Sequence, residues 1–483
     1  MSRGLRFFFR FFAITVVLRI CLFSAASAQT TYTVTDLGVL GETIINEDRF
    51  NFSAGFGINA SGEVTGTSST ADNEQHAFLY IGGTMTDLGK LPLATSSAGL
   101  GVNDSGQVTG FSTPGGVLIR AFLYSGGTMT DLGSLGGEFA DTEGFAINNS
   151  GRITGFSNTV TPGIHAFLYS GGTMTDLGTL GGSTSFGAAI NDSGQITGRS
   201  STTGDTASHA FLYSGGTMTD LGTLGGKFSF GNGINISGQV TGGSATTGDT
   251  ASHAFLYSGG TMMDLGTLGG TFGQGLGINA SGLVVGSSRV TGDTTEHAFF
   301  YSANTGMVDL NTLLPSDSGW TLTQATAIND SGQITGFGTN PSGLTHAFLL
   351  TPATIPFSTF DAKMGLTGKP PTKFRLKGSF TLGAGSTGID PVNQPVTLKL
   401  GTFSVSIPTG SFTTTAKGDY DFQGTVGGVA ILFRITSVTS TSFTWEAKGA
   451  TNTGLPATNP VSVALTIGNN TGTVSVTAHG QGK

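Results

Sequence analysis

The chain has 483 residues, a net charge of −8 at pH 7, 10% charged residues and 80 glycines. So few charges and so many glycines exclude a helical or coiled-coil protein and fit many short strands joined by tight turns. The length allows more than one domain, and the net acidity argues against nucleic acid as a partner.

Residues 1–28 read as a secretory signal peptide. Arg3, Arg6 and Arg10 supply a positive start, Phe11 to Leu18 and Ile20 to Phe23 an apolar stretch, and Ala26-Ser27-Ala28 small residues ahead of a cut before Gln29. The run is short for a spanning helix and Arg19 interrupts it. No later segment is long and apolar enough to cross a membrane as a helix. The lone cysteine, Cys21, falls inside this leader. The mature chain is therefore expected to be bacterial in type, secreted or at the cell surface, and without disulfides.

From Thr31 one phrase recurs: HAFLYSGGTMTDLGTLGG, a short variable stretch, then INDSGQITG. The Ala-Phe step places its phenylalanine at Phe78, Phe122, Phe167, Phe211, Phe255, Phe299 and Phe348. A period of about 44 residues signals a propeller, solenoid or array. Each unit holds two hairpins. Gly82-Gly83 suits a turn that needs positive φ twice, and Asp192-Ser193-Gly194 suits a three-residue closure. Four strands per unit with two apolar faces predict a stacked blade. The strand Thr31 to Leu37 comes first without an Ala-Phe partner, and His346 to Leu350 ends the repeats without an Asp-Leu partner. Pairing these two would close a ring and hide two sheet edges. The expected fold is all-β: a seven-bladed β-propeller over 31–353, then an antiparallel β-sandwich over 360–483.

These phrases resemble the HAF family of extracellular repeat proteins, named for His-Ala-Phe, over about two thirds of the chain. The resemblance implies export and a propeller-like fold and assigns no reaction. Arg120 stands where unit two should have its histidine, and Ser302 to Gly306 replaces the Gly-Gly turn in the sixth unit's hairpin.

The repeated histidines and aspartates read as structural. His76 and Asp87 sit diagonally on one hairpin face, as do His165 and Asp176, His209 and Asp220, His253 and Asp264, and His297 and Asp309. His346 occupies the same position in the last unit. The histidines lie too far apart to share a metal, so no metal ligand set is expected. The Asn-x-Ser triplets, such as Asn103-Asp-Ser105, read as turn residues.

Function is expected where the units differ. The connection from Asp-Leu to the next asparagine is longest in the first and last units, which ring closure would make neighbours. One carries Glu42, Glu47, Asp48 and Arg49, the other Asp317 and Trp320, and unit three adds Glu138, Asp141 and Glu143. With Asp72, Glu74, Asp205, Asp249, Asp293 and Glu296 they predict an acidic rim able to hold a glycan, a cation or a protein partner. No catalytic motif is present and no cofactor is expected, apart from a structural or ligand-bridging cation.

The tail changes character. Phe374–Phe380, Val396–Leu400, Phe403–Ile407, Val429–Ile435 and Val461–Ile467 read as strands. From Gln29 to Pro352 there are 7 basic and 24 acidic residues, whereas the tail has 10 basic and 5 acidic. It reads first as a packing or display module, with contact to an acidic polymer as the alternative. The functional expectation is an extracellular binding or scaffolding protein. A glycan-acting enzyme using loop carboxylates and a structural surface component are the alternatives.

Overall fold

The computed structural model describes residues 31–480, apart from 42–43, 46–47, 50, 115–117, 162, 369–370, 385, 387, 393, 409, 452–454 and 456–458. The leader and Cys21 therefore lie outside the described residues.

One unit shows the local logic. Strands Gly181–Ile190, Ile196–Thr202, Ser208–Ser214 and Thr217–Asp220 pair antiparallel in sequence order. Phe211 lies opposite Asp220, which sets the register of the outer hairpin. Gly215 and Gly216, between its strands, have φ of 59° and 87°, as a two-residue hairpin turn of this hand requires. The Thr-Gly step of the second strand answers a tighter demand. A Cβ on Gly198 would lie 1.8 Å from the Phe186 carbonyl oxygen, so only glycine lets the inner strand bulge against it. Thr197 beside it donates its hydroxyl to the Phe211 carbonyl at 2.7 Å. The Phe211 ring is fully buried.

The same four-strand order recurs from Ser53–Ile58 to Thr84–Gly89, Ala94–Val102 to Thr128–Asp131, Thr142–Ile147 to Thr173–Asp176, Gly225–Ile234 to Thr261–Gly266, and Gly269–Ile278 to Gly306–Asp309. The last unit is made differently. Thr321–Ile328, Ile334–Thr339 and Thr345–Pro352 are completed by Tyr32–Asp36 from the start of the repeats. Asp36 lies opposite Phe348, the register that Asp87 has to Phe78 inside the first unit. Tyr32 and Leu37 are buried there, and burial drives the Tyr32 phenol strongly upward.

Consecutive units are joined by one hydrogen bond that recurs at every junction and by a second that recurs at four of them among the described residues. Each inner strand ends in an asparagine whose Nδ2 donates to the carbonyl of the next unit's asparagine, at 2.9–3.2 Å. The Oδ1 of the same side chain accepts N–H groups of its own turn, as Glu63 and Ser61 show for Asn59. The second bond runs from the alanine N–H of the Ala-Phe step to a serine at the start of the next inner strand, for example Ala77 to Ser97 at 2.8 Å. Both bonds also run from the last unit to the first: Asn329 reaches the Asn59 carbonyl at 3.0 Å and the Ala347 N–H reaches Ser53 at 2.9 Å. The arrangement is therefore all-β and propeller-like, with its inner strands around a central channel.

Beyond the repeats, strands form two further sheets. One joins Val396–Leu400, Phe403–Ile407, Val461–Ile467 and Asn470–Val476 with Ile355–Pro356. The other joins Thr359–Gly368, Pro371–Thr381, Tyr420–Val426, Val429–Ser437 and Ser442–Ala450 with two short edge strands. Their inward residues, among them Leu398, Leu465, Leu376, Phe433 and Trp445, form one core.

The clasp strand is open to test. Removing the buried ring with Tyr32→Ala is expected to cost about 3 kcal/mol in denaturant unfolding. Burial pushes the Asp36 carboxyl up, but hydrogen bonds from His346, Asn340 and the Gly38 N–H outweigh it and hold it below its ordinary range. Its contribution is therefore complete above the unfolded carboxyl value of about 3.9 and is lost as pH falls through the lower folded value. Asp36→Asn should lower Tm at neutral pH, and the gap to wild type should narrow as pH falls below the ordinary carboxyl value.

Candidate functional site

The repeated histidines are committed to the scaffold. The Nδ1 atoms of His76, His165, His209 and His253 lie 2.8–3.0 Å from the carboxylates of Asp87, Asp176, Asp220 and Asp264. His297 meets Asp309 at 2.7 Å, and His346 meets Asp36 at 2.8 Å across the clasp. Arg120, which replaces the histidine of unit two, comes within 4.0 Å of Asp131. Among the described residues, no three His, Asp or Glu side chains gather as metal ligands would.

Most of the expected acidic rim is likewise in use. Asp205, Asp249 and Asp293 take positive φ of 54–56°, and their Oδ1 atoms accept the Ser183, Lys227 and Thr271 N–H groups at 2.7–2.8 Å. Glu74 pairs with Lys90 and His76, and Glu296 accepts from Gln324 at 3.1 Å. These carboxylates brace loops between neighbouring strands.

The loop candidates scatter. Glu42 and Glu47 lie outside the described residues. Asp48 and Arg49 form a two-residue strand against Ile44–Ile45. Asp317 is exposed, whereas Trp320 is half-buried with its ring edge-on to Phe348 at 6.2 Å, as part of the last unit's core. Glu138 is exposed, and its backbone carbonyl accepts from Arg120. Asp141 accepts the Ile119 N–H at 2.9 Å. Glu143 alone belongs to an inner strand, Thr142–Ile147.

That strand leads to a place the loop reading missed. The inner strands run from the Asp-Leu connections to the asparagine turns. At the turn end the channel mouth is polar, lined by residues such as Asn103, Asp104, Asn149, Asp192 and Asp330, whose side chains largely hydrogen-bond one another or the adjacent backbone. Toward the other end lies a cavity of about 360 Å³ lined by Leu100, Phe145, Phe186, Arg199, Phe230 and Asn232, together with Ala188 and Gly231. Arg199 holds its guanidinium 4.5 Å from the Phe186 ring centroid. Phe156 stands edge-on to Phe186 at 5.2 Å and tilted to Phe145 at 5.8 Å. An apolar wall with a few fixed polar groups is what a small-ligand site requires.

A signal for this cavity lies in the repeat. Five residues before each turn asparagine stand Ala54, Ala98, Glu143, Phe186, Phe230, Gln274 and Gln324. The step two residues further on reads Phe56, Leu100, Phe145, Ala188, Asn232, Leu276 and Thr326. The neighbouring Ile-Asn positions barely change. The units thus vary inside the strands where these meet the channel, as well as in the loops. Glu143 shares its repeat position with Phe186 and Phe230, which line the cavity, and pairs in register with Phe156. Burial raises its carboxyl to about 7, and the negative Asp141 adds to the shift.

No family model and no curated protein matches the sequence. Among solved structures, the chain is similar to TolB from Acinetobacter baumannii (12% identity, 42% of this chain and 50% of that one, TM-score 0.32). It spans only half the length of that protein. A putative TolB from Agrobacterium tumefaciens matches at 13% identity over 56% of this chain and 95% of that one, TM-score 0.37. A puromycin hydrolase matches at 12% identity over 68% and 58%, TM-score 0.41. Likenesses of this size say nothing of activity.

Glu143, which stands two residues before the cavity residue Phe145, has a measurable signature of its own. Its carboxyl is raised, so its contribution to stability is intact below the ordinary carboxyl value and is lost as pH rises through about 7. Glu143→Gln, which stays neutral, should stabilise the protein at pH 8 by on the order of 1–2 kcal/mol after solvent screening, and should change little at pH 4. Thermal unfolding at the two pH values checks this.

Proposed function

We propose that this protein is an exported binding protein, secreted or held at the cell surface, whose HAF-type repeats make a seven-bladed propeller over about 31–353 and present the aromatic-walled channel cavity to a glycan. A β-sandwich from about residue 360 follows it. The observation that carries the reading is the concentration of Leu100, Phe145, Phe186, Phe230, Asn232 and Arg199 in one cavity, at positions where the repeats diverge. The near-identical units carry Phe, Glu, Gln and Ala at this one repeated site, although Phe186 there also packs edge-on to Phe156 of the preceding unit. Sugars offer apolar C–H faces to aromatic walls and hydroxyls to amide and guanidinium groups, and both kinds of partner are present here. A protein ligand entering by an extended side chain would need the same cavity.

A glycan-acting enzyme is the second reading, and Glu143 favours it. A carboxyl raised to about 7 keeps a substantial protonated fraction near neutral pH, which is the first need of a general acid in glycoside hydrolysis.

A glycan array with the full chain, followed by calorimetry on any sugar retained, tests both readings. Phe186→Ala and Arg199→Ala should each weaken binding by about tenfold, or about 1.4 kcal/mol, while Trp320→Ala, whose ring packs on Phe348, should leave affinity unchanged. Slow release of reducing ends from a bound glycan, abolished in Glu143→Gln without loss of binding, would establish the enzyme. If no glycan is retained, the sugar reading fails and a protein ligand or a purely structural role replaces it.

A further inference from the structure

The tail's positive charge is not spread evenly. On the outward face of the seven-stranded sheet, Lys363, Lys377, Glu446, Arg434 and Asp421 stand in one row, each in register with the next across five strands. The adjacent row brings Arg375 opposite Lys448. Lys373 follows two residues before Arg375 on the same strand. Arg434 is neutralised by Asp421 through two bonds of 2.6 Å. Five cations then remain around Glu446, which pairs with Arg375 at 3.1 Å, Lys377 at 3.5 Å and Lys448 at 2.9 Å, while Asp361, two residues before Lys363, accepts from the Ser379 N–H at 2.6 Å and hydroxyl at 3.0 Å. Lys363 and Lys373 have no ion pair among the described residues.

Two features of this patch work against folding stability. Lys363 lies directly opposite Lys377, and Arg375 directly opposite Lys448. Like charges directly opposed on neighbouring strands destabilise a sheet. The side chains of Arg375, Lys377 and Lys448 are 58%, 56% and 47% exposed, so their charge is available to solvent. Beside them runs a shallow cavity of about 650 Å³, bordered by Lys373, Arg375 and Lys448 and floored by the small residues Gly424, Gly449 and Ala450. Cations on alternate strand residues recur about every 6.6 Å, with cross-strand partners about 5 Å away.

We infer that this sheet face, through Lys363, Lys373, Arg375, Lys377 and Lys448, binds a linear anionic polysaccharide laid along the trough. Charge complementarity selects a polyanion, since an excess of cations spread along a groove attracts repeated negative charge. The flat, open shape and the small-residue floor suit an extended chain. A lipid surface fits poorly, because an interfacial binder needs apolar side chains to bury, and Leu432 is the one large apolar residue exposed among these rows. The inference does not depend on the channel cavity.

Retention of the full chain on immobilised polygalacturonate, with neutral dextran as control, tests it. Wild type should be held by the polyuronate alone, and its affinity should fall at least about tenfold between about 50 and 300 mM salt. Lys363→Gln/Lys373→Gln removes the two cations without ion pairs, so folding should persist, and affinity should drop at least about threefold. Arg375→Gln/Lys448→Gln should reduce it further, with thermal unfolding as the check on integrity. Absence of retention, indifference to salt, or unchanged affinity in a folded Lys363→Gln/Lys373→Gln chain overturns the inference. So does tighter binding to duplex DNA or to phosphatidylserine vesicles than to polygalacturonate. Loss of retention in Arg199→Ala would move the binding to the channel cavity and equally overturn it.

Discussion

Each inner strand ends in an asparagine that does two jobs at once. Its carbonyl oxygen caps its own turn, and its amide nitrogen reaches the next unit's backbone, from Asn59 round to Asn329 and back to Asn59. A shorter or branched side chain could not do both. The units otherwise meet mainly through apolar side chains, which attract without fixing an angle. The directional bonds of the asparagines, and of Ser53, Ser97, Ser185 and Ser229 to the neighbouring alanine N–H groups, fix how far each sheet turns from the last. The channel, its polar mouth and its aromatic wall follow from that fixed spacing.

The same constraint divides the residues into two sets. The asparagines bonded to the next unit repeat without change, because each must meet an identical partner, whereas the serine position also reads Thr142 and Gly273. Those between them, facing the channel, are released from that demand. Phe186, Phe230, Glu143 and Gln274 can therefore differ at one repeated position while the ring stays intact. Arg199 shows the same freedom on the second strand, where it stacks on Phe186.

What the sequence made legible was local. The hairpins, the His–Asp diagonals and the pairing of the first strand with the last could be read from spacings of about 4 to 11 residues or from leftover half-hairpins. The serine and asparagine links could not, because their partners lie about 20 and about 44 residues away and no local pattern marks them. The bracing role of the acidic residues was hidden for a related reason: Asp205 and Asp293 look free along the chain, yet each accepts an N–H from a strand more than twenty residues earlier. Trp320 looked like a surface aromatic, but the last unit packs it against Phe348. In the tail no repeat helped. Strands such as Thr359–Gly368 and Ser442–Ala450 do alternate, through Phe360, Ala362, Met364 and Leu366 and through Phe443, Trp445 and Ala447, but lysine, glycine and acidic residues between them dilute the strand signal.

The clasp also sets an order of events. Tyr32–Asp36 is the earliest strand of the repeats, yet its partner, Thr345–Pro352, lies some 310 residues later, as the Asp36–His346 contact measures. Until that late segment is made and delivered, the early strand has an unsatisfied backbone edge and a bare tyrosine. Closing so long a loop is entropically slow. The intermediate units can stack meanwhile, since each needs only its predecessor. The last act of assembly is then the capture of the oldest part of the chain by the newest, and the hazard during that wait is capture by another molecule's Thr345–Pro352 strand, which would link copies into strand-exchanged chains.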